Sequence, residues 1–159
     1  MFALDIVATA GDMDELEHVS NLVYVRWILE VAQAHSTACG YDQAAYRDLG
    51  AIFVVRRHEV DYLRPAFAGD RIRLQTWVES WKGASCVRAT RITRLVESRG
   101  SDGEPAASEP PAGAEAGEEI EVARGLTVWA FVNLTSGRPT RIPPGIREVF
   151  EREERARTS

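Results

Sequence analysis

Cysteine is scarce in this sequence: Cys39 and Cys86 stand alone in their segments, with no CxxC pair. A disulfide framework is therefore excluded, and a reducing, cytoplasmic setting is expected. Both thiols read as small buried apolar groups rather than nucleophiles. No apolar run approaches the roughly 20 residues needed to cross a bilayer, so no membrane is expected. Met1 to Thr9 holds no basic residue and carries Asp5, unlike a secretory leader. No basic stripe is interleaved with aromatics, which sets nucleic acid aside as a partner. A nucleophile-elbow motif is lacking, so a Ser-His-Asp triad has no anchor. The acidic loop after the first strand lacks the glycine and distal glutamate of a calcium-binding EF-hand. Neither a metal nor a cofactor is called for.

What is present fits one domain spanning residues 1–159. The net charge of −5 is unevenly placed: Glu97 to Glu121 holds eight acidic residues and one basic one. The rest of the chain is thus mildly cationic, which suits a phosphate-bearing small molecule. Residues from about 98 to 119 are rich in Gly, Pro, Ala, Ser and Glu and show no periodicity. Such a segment buries too little apolar surface to offset its ordering entropy, so a mobile insert between strands is expected there.

Periodicity supplies the elements. Phe2, Leu4, Ile6 and Ala8 alternate as a first strand. Leu22 to Cys39 contains neither Gly nor Pro and sets Tyr24, Ile28, Val31 and His35 at helical spacing. Leu22, Leu29 and Ala32 broaden that apolar surface, and Gly40 stands at the C-cap. Asp42 to Leu49 reads as a short helix with Asp42 as its N-cap and Gly50 as its stop. Four β-rich stretches follow: Ile52–Tyr62, Arg71–Trp81, Ser85–Val96 and Val122–Leu134, with Lys82-Gly83 as a hairpin turn. After Pro143-Pro144 the chain to Arg157 forms a charged terminal helix. The order is β, long α, short α, then four β. An α+β architecture satisfies it, one five-stranded antiparallel sheet wrapped around one long central helix. A second copy is expected to cover the open edges of such a sheet.

The informative segment runs from Gly11 through Asp12, Asp14, Glu17, His18, Val19, Asn21 and Tyr24 to Arg26-Trp27. It resembles the signature of the 4-hydroxybenzoyl-CoA thioesterase-like family, which has the hotdog fold. In that family an Asp-x-Asp follows the first strand, a His-Val pair comes next, and Asn, Tyr and Arg-Trp open the central helix. Tyr62-Leu63-Arg64-Pro65-Ala66 with Gly69-Asp70 is similar to a second family turn. Glu79 to Lys82 with Ser85 and Arg88 is similar to its third-to-fourth-strand hairpin, and Gly137-Arg138 with Ile142-Pro143 to its closing segment. Two departures stand out: Glu17 where a glycine usually precedes the His, and Ser20 in place of a common Asn.

The resemblance implies an acyl-CoA thioesterase releasing free acid and CoA, with Asp14 as nucleophile or general base. The physics is consistent with that role, because exposed amides at a helix start hold a carboxylate ionised and stabilise an oxyanion. The oxyanion amide falls on Asn21 by the family's spacing, and His18 is the candidate that orients Asp14 or the acyl carbonyl. Arg64, Lys82 and Arg88 are candidates to meet the phosphates of CoA by charge, and Tyr24 joins them as a substrate contact. The family implies a homodimer or homotetramer whose sites are lined by two subunits. Two alternatives stay open: a catalytically silent module that binds acyl-thioesters, and a thioesterase acting on acyl carrier protein.

Overall fold

The computed structural model describes residues 1–96, 115 and 117–157. The tether expected over 98–119 lies, except for its last few residues, outside them. The elements are β1 (Phe2–Val7), α1 (Asn21–Ala38), α2 (Gln43–Leu49), β2 (Ala51–Tyr62), β3 (Arg71–Lys82), β4 (Ser85–Leu95), β5 (Glu119–Asn133) and α3 (Pro144–Ala156). Five strands form one antiparallel sheet in the order β1-β3-β4-β5-β2.

Alternation places the core. Ile72, Leu74, Thr76 and Val78 of β3 are all buried, as their spacing requires. α1 buries Tyr24, Trp27, Ile28, Val31 and His35, whereas Leu22 at the helix start stays 80% exposed. Gly125 of β5 lets the helix lie close on the sheet, since a Cβ there would stand 2.8 Å from Ile28 Cδ1. A second cluster around Tyr46, Phe131, Ile146 and Phe150 closes the other end, where α2 and α3 pack. Asp42 caps α2 by accepting from the Ala45 amide at 2.8 Å, and Gly50 ends that helix at φ 70°.

One difference from the sequence reading has a physical reason. β5 begins at Glu119 rather than Val122, because Glu119 pairs with Arg73 and Glu121 with Arg91 across the strands. In the same strand Leu126 faces outward, 39% exposed, while Gly125 and Thr127 face inward. Among the described residues the strand β2, 12 residues long, pairs with β5 alone and leaves its other edge open.

Candidate active site

The loop between β1 and α1 is built from two carboxylates with separate tasks. Asp12 is buried, and its Oδ2 accepts from the Thr9 amide at 2.8 Å and the Thr9 hydroxyl at 3.0 Å. Its Oδ1 takes the Arg26 guanidinium at 2.5 Å. Burial alone would raise this carboxyl, but the Thr9 amide and Arg26 outweigh it and hold it below the usual range. Asp12 ties the loop to the first turns of α1.

Asp14 opens a tight hairpin. Its amide donates to His18 O at 2.8 Å, the Glu17 amide donates to Asp14 O at 3.0 Å, and Met13 bridges to Val19 beyond. Three residues thus form the loop, with the last in the left-handed region that completes such a turn. That last residue is Glu17, at φ 60° the one non-glycine with positive φ among the described residues. The position favours glycine on steric grounds, so Glu17 holds a glycine's conformation at a cost in strain. The Asp14 side chain is exposed, and its Oδ1 accepts from the amides of Leu16 at 2.9 Å and His18 at 3.4 Å.

Past the hairpin, Ser20 caps α1 by accepting from the Leu22 amide at 3.3 Å, doing the task of an asparagine there. Asn21 is the first residue of α1, and its amide belongs to the first turn, which has no intrahelical acceptor. The Asn21 carbonyl takes a hydrogen bond from the Tyr62 hydroxyl at 3.1 Å. The His18 ring is half-buried and meets Phe67 edge-on at 5.3 Å. Arg64 is exposed at the end of β2, one guanidinium nitrogen donating to Glu121 O at 3.1 Å. Asp14, His18, Asn21, Tyr62 and Arg64 therefore cluster at the end of the molecule where α1 begins.

Tyr24 does not act as an exposed substrate contact. It is 3% exposed, packed edge-on against Trp27 and Tyr62, and burial pushes its hydroxyl up to about 12. Its turn of α1 faces the sheet, so the ring belongs to the core. Arg88 is likewise corrected: a surface contact to phosphate was expected, yet the residue is 6% exposed. On β4 it shares the inward face with Cys86 and Ile92, and its guanidinium reaches His35 Nδ1 at 2.9 Å and Thr76 Oγ1 at 3.3 Å.

Arg88 lines a cavity of about 260 Å³ at the other end of the molecule, beside Ser36, Tyr46, Phe53, Trp81 and Trp129. The sequence reading missed this cavity; the signal available was an arginine in phase with Cys86 and Ile92 on an alternating strand. Lys82 is exposed on the hairpin at that same end. The two cysteines also lie there, buried, with burial pushing each thiol up to about 11. A thiol held that high is protonated near neutral pH and is no nucleophile.

The family profile described as the thioesterase-like superfamily matches residues 8–150, nearly the whole chain. The chain belongs to the thioesterase-like superfamily. Its fold is that of the hotdog thioesterases. A mutant 4-hydroxybenzoyl-CoA thioesterase complexed with 4-hydroxybenzoyl-CoA superposes with a TM-score of 0.76 at 16% identity, over 94% of this chain and 97% of that one. A 1,4-dihydroxy-2-naphthoyl-CoA thioesterase from Synechocystis gives 0.71 at 13% identity, over 94% of each chain. A Staphylococcus aureus protein solved in complex with CoA gives 0.77 at 11% identity, over 97% of this chain and 84% of that one. At such identities the likeness carries the fold alone. No curated protein sequence matches this chain. Among the described residues no helix is long and apolar enough to cross a membrane.

Proposed function

We propose that this protein hydrolyses an acyl-CoA to the free acid and CoA, with Asp14 as nucleophile or general base. The observation that carries the reading is the state of the Asp14 carboxylate. Oδ1 is fixed by two backbone amides, Oδ2 is left open, and the Asn21 amide, which has no intrahelical acceptor, follows seven residues on. As nucleophile, Oδ2 attacks the acyl carbon and the C–S bond breaks. The CoA thiolate departs and takes a proton from solvent, and water then cleaves the mixed anhydride. As general base, Asp14 instead takes a proton from water while the oxygen attacks the acyl carbon. Either way the carbonyl oxygen gains negative charge, and the Asn21 amide is the donor suited to stabilise it. Arg64 and Lys82 remain the candidates for the CoA phosphates. His18, set between Asp14 and the helix, positions the loop through its contact with Phe67.

Within one chain the far wall of the cavity stands well away from that chain's own Asp14. From Asn21 to Ser36 along α1 is about 22 Å, and from Phe53 to Tyr62 along β2 roughly 30 Å. Pairing the open β2 edge with a second copy, antiparallel and symmetric about the strand's middle, reverses that separation. The cavity end of one chain then meets the Asp14 end of the other. Leu22, Leu29, Tyr62 and Leu63 are exposed apolar groups of α1 and the end of β2 that such a dimer would cover.

The test is Asp14→Asn, assayed on the best substrate of an acyl-CoA panel with a thiol reagent. Turnover should fall at least about 10²–10⁴-fold, the usual worth of a general base, while circular dichroism and assembly stay unchanged. A folded variant as fast as its parent would refute the role. Tight binding of acyl-CoA by a parent that hydrolyses none would instead favour a silent binding module.

A further inference from the structure

The cavity beside Arg88 carries a feature that a merely apolar acyl pocket does not need. Its walls are mostly aromatic and aliphatic, with Phe53, Trp81 and Phe150 among them. Into this apolar surround β4 places a guanidinium that is almost wholly removed from water. Burying an unpaired charge is costly, and proteins ordinarily offset that cost with a carboxylate. Among the described residues none forms an ion pair with Arg88. Its partners are neutral: the Thr76 hydroxyl and the Nδ1 of His35. Burial first, and then the Arg88 charge, lower His35 to about 3, so the imidazole is uncharged and its Nδ1 accepts. Phe150 adds a ring face 5.6 Å from the guanidinium carbon. Glu154, a carboxylate whose charge reaches Arg88, has an oxygen committed to the Val78 amide at 2.8 Å.

A second donor points the same way. The indole N–H of Trp129, which also lines the cavity, is buried without a hydrogen-bond partner. Ser36 gives its proton to Tyr41 O, so the Tyr46 hydroxyl donates to Ser36 Oγ and keeps its own lone pairs. Among the described residues the one carboxylate on the lining is Asp42, exposed at the rim and bonded to the Ala45 amide. The interior thus offers a cation with donors beyond those given to His35 and Thr76, and an unpaired N–H, with no ion-paired carboxylate among the described residues.

We infer that this cavity receives the acyl group and selects acyl chains that end in a carboxylate, with Arg88 as the residue that reads it. The inference rests on the thioesterase reading above. At about 260 Å³ the cavity falls below the roughly 300–1,000 Å³ of ordinary small-molecule sites. It fits a short acyl group and leaves the nucleotide of CoA outside. A guanidinium fork pairs with a carboxylate through two parallel hydrogen bonds, and in a dry pocket that pairing discriminates strongly against a methyl terminus.

The test compares succinyl-, glutaryl- and adipyl-CoA with butanoyl-, pentanoyl- and hexanoyl-CoA on the full-length protein. At the best length, kcat/KM for the carboxylate-ended thioester should exceed that of its methyl-ended partner by about tenfold or more. In Arg88→Met that ratio should fall by at least about tenfold, and in Arg88→Lys by less, because the charge stays while the fork is lost. A parent that prefers the methyl-ended thioester at every length overturns the inference, whether or not Arg88→Met folds. Binding to Asp14→Asn protein, followed by calorimetry and by the fluorescence of Trp81 and Trp129, separates this inference from the catalytic one. Carboxylate-selective binding lost in Asp14→Asn/Arg88→Met and weakened in Asp14→Asn/Arg88→Lys, with no hydrolysis by the parent, sustains the pocket and sinks the thioesterase. Hydrolysis without carboxylate selectivity does the reverse.

Discussion

Replacing Glu17 by glycine should stabilise the protein, although it removes a side chain and adds nothing to pack. At φ 60° the Glu17 Cβ crowds its own backbone, and a left-handed conformation costs an L-residue about 1–2 kcal/mol. Glycine removes that strain but gives the unfolded chain more freedom, which returns about 0.4–1 kcal/mol. The net gain is about 0.5–1 kcal/mol, or about 1–4 °C in Tm for a domain of this size. Loss of an exposed carboxylate beside Asp14 and Glu15 adds a few tenths at most, and that part fades with salt. The assay is thermal unfolding at fixed protein concentration, at low and high salt, with turnover followed in parallel. Activity should hold or rise, since the hairpin that carries Asp14 is kept. Glu17→Ala is the decisive control, because it discards the charge yet keeps a Cβ at the same φ. If alanine stabilises as much as glycine, or glycine lowers Tm, backbone strain at this turn is refuted.

Sedimentation at micromolar concentration should give a dimer or larger; a stable monomer would remove the two-chain site. Gly125→Ala should cost about 0.5–1.5 kcal/mol by pushing the end of the Ile28 side chain off its rotamer, seen as a lower denaturant midpoint; an unchanged midpoint would mean that Ile28 Cδ1 turns aside without strain. Asp12→Ala should cost about 0.5–2 kcal/mol by loss of a cap, more with the Arg26 pair, and equal stability would contradict its structural role. His35 is about 3 when folded against an ordinary 6.5, so the unfolded chain binds the extra proton. Stability should therefore fall as pH drops from 6.5 toward 3, by up to about 1.4 kcal/mol per unit. Asp12, lowered from 3.8, adds its own loss only at the acid end of that window, so a flat profile between pH 4 and 6.5 would dismiss a buried neutral His35.

Local chemistry made most of the fold legible. Asp42 and Gly50 bracket α2 because a cap and a left-handed stop are fixed by one residue each. The apolar phase of β3 reached the structure intact. Glu17 was visible too, as a glutamate where the resemblance wants glycine, and the backbone shows what is at stake there. What failed depended on three dimensions. Tyr24 was read as a substrate contact and Arg88 as a partner for phosphate because their types suit ligands, yet helix phase turns Tyr24 into the core and strand phase turns Arg88 into the cavity rather than to the surface. The acidic run hid the start of β5, since charge reads as loop until Arg73 and Arg91 are seen opposite it. The cavity draws on α1, α2, α3 and four strands, and no stretch of sequence announces it.

The two oxygens of Asp14 are not equivalent, and that asymmetry leaves an isotopic signature. Oδ1 accepts from the Leu16 and His18 amides, which favours one orientation of the carboxylate and, if Asp14 attacks, presents Oδ2. If Oδ2 attacks and water later cleaves the aspartyl side of the anhydride, the first acid released in heavy-oxygen water carries the old Oδ2. The solvent atom stays on Asp14 and leaves with the next product, one turnover late. A free carboxylate would share that atom between both oxygens and smear the delay over several cycles. A general base would show no delay at all, the label appearing in product from the first turnover.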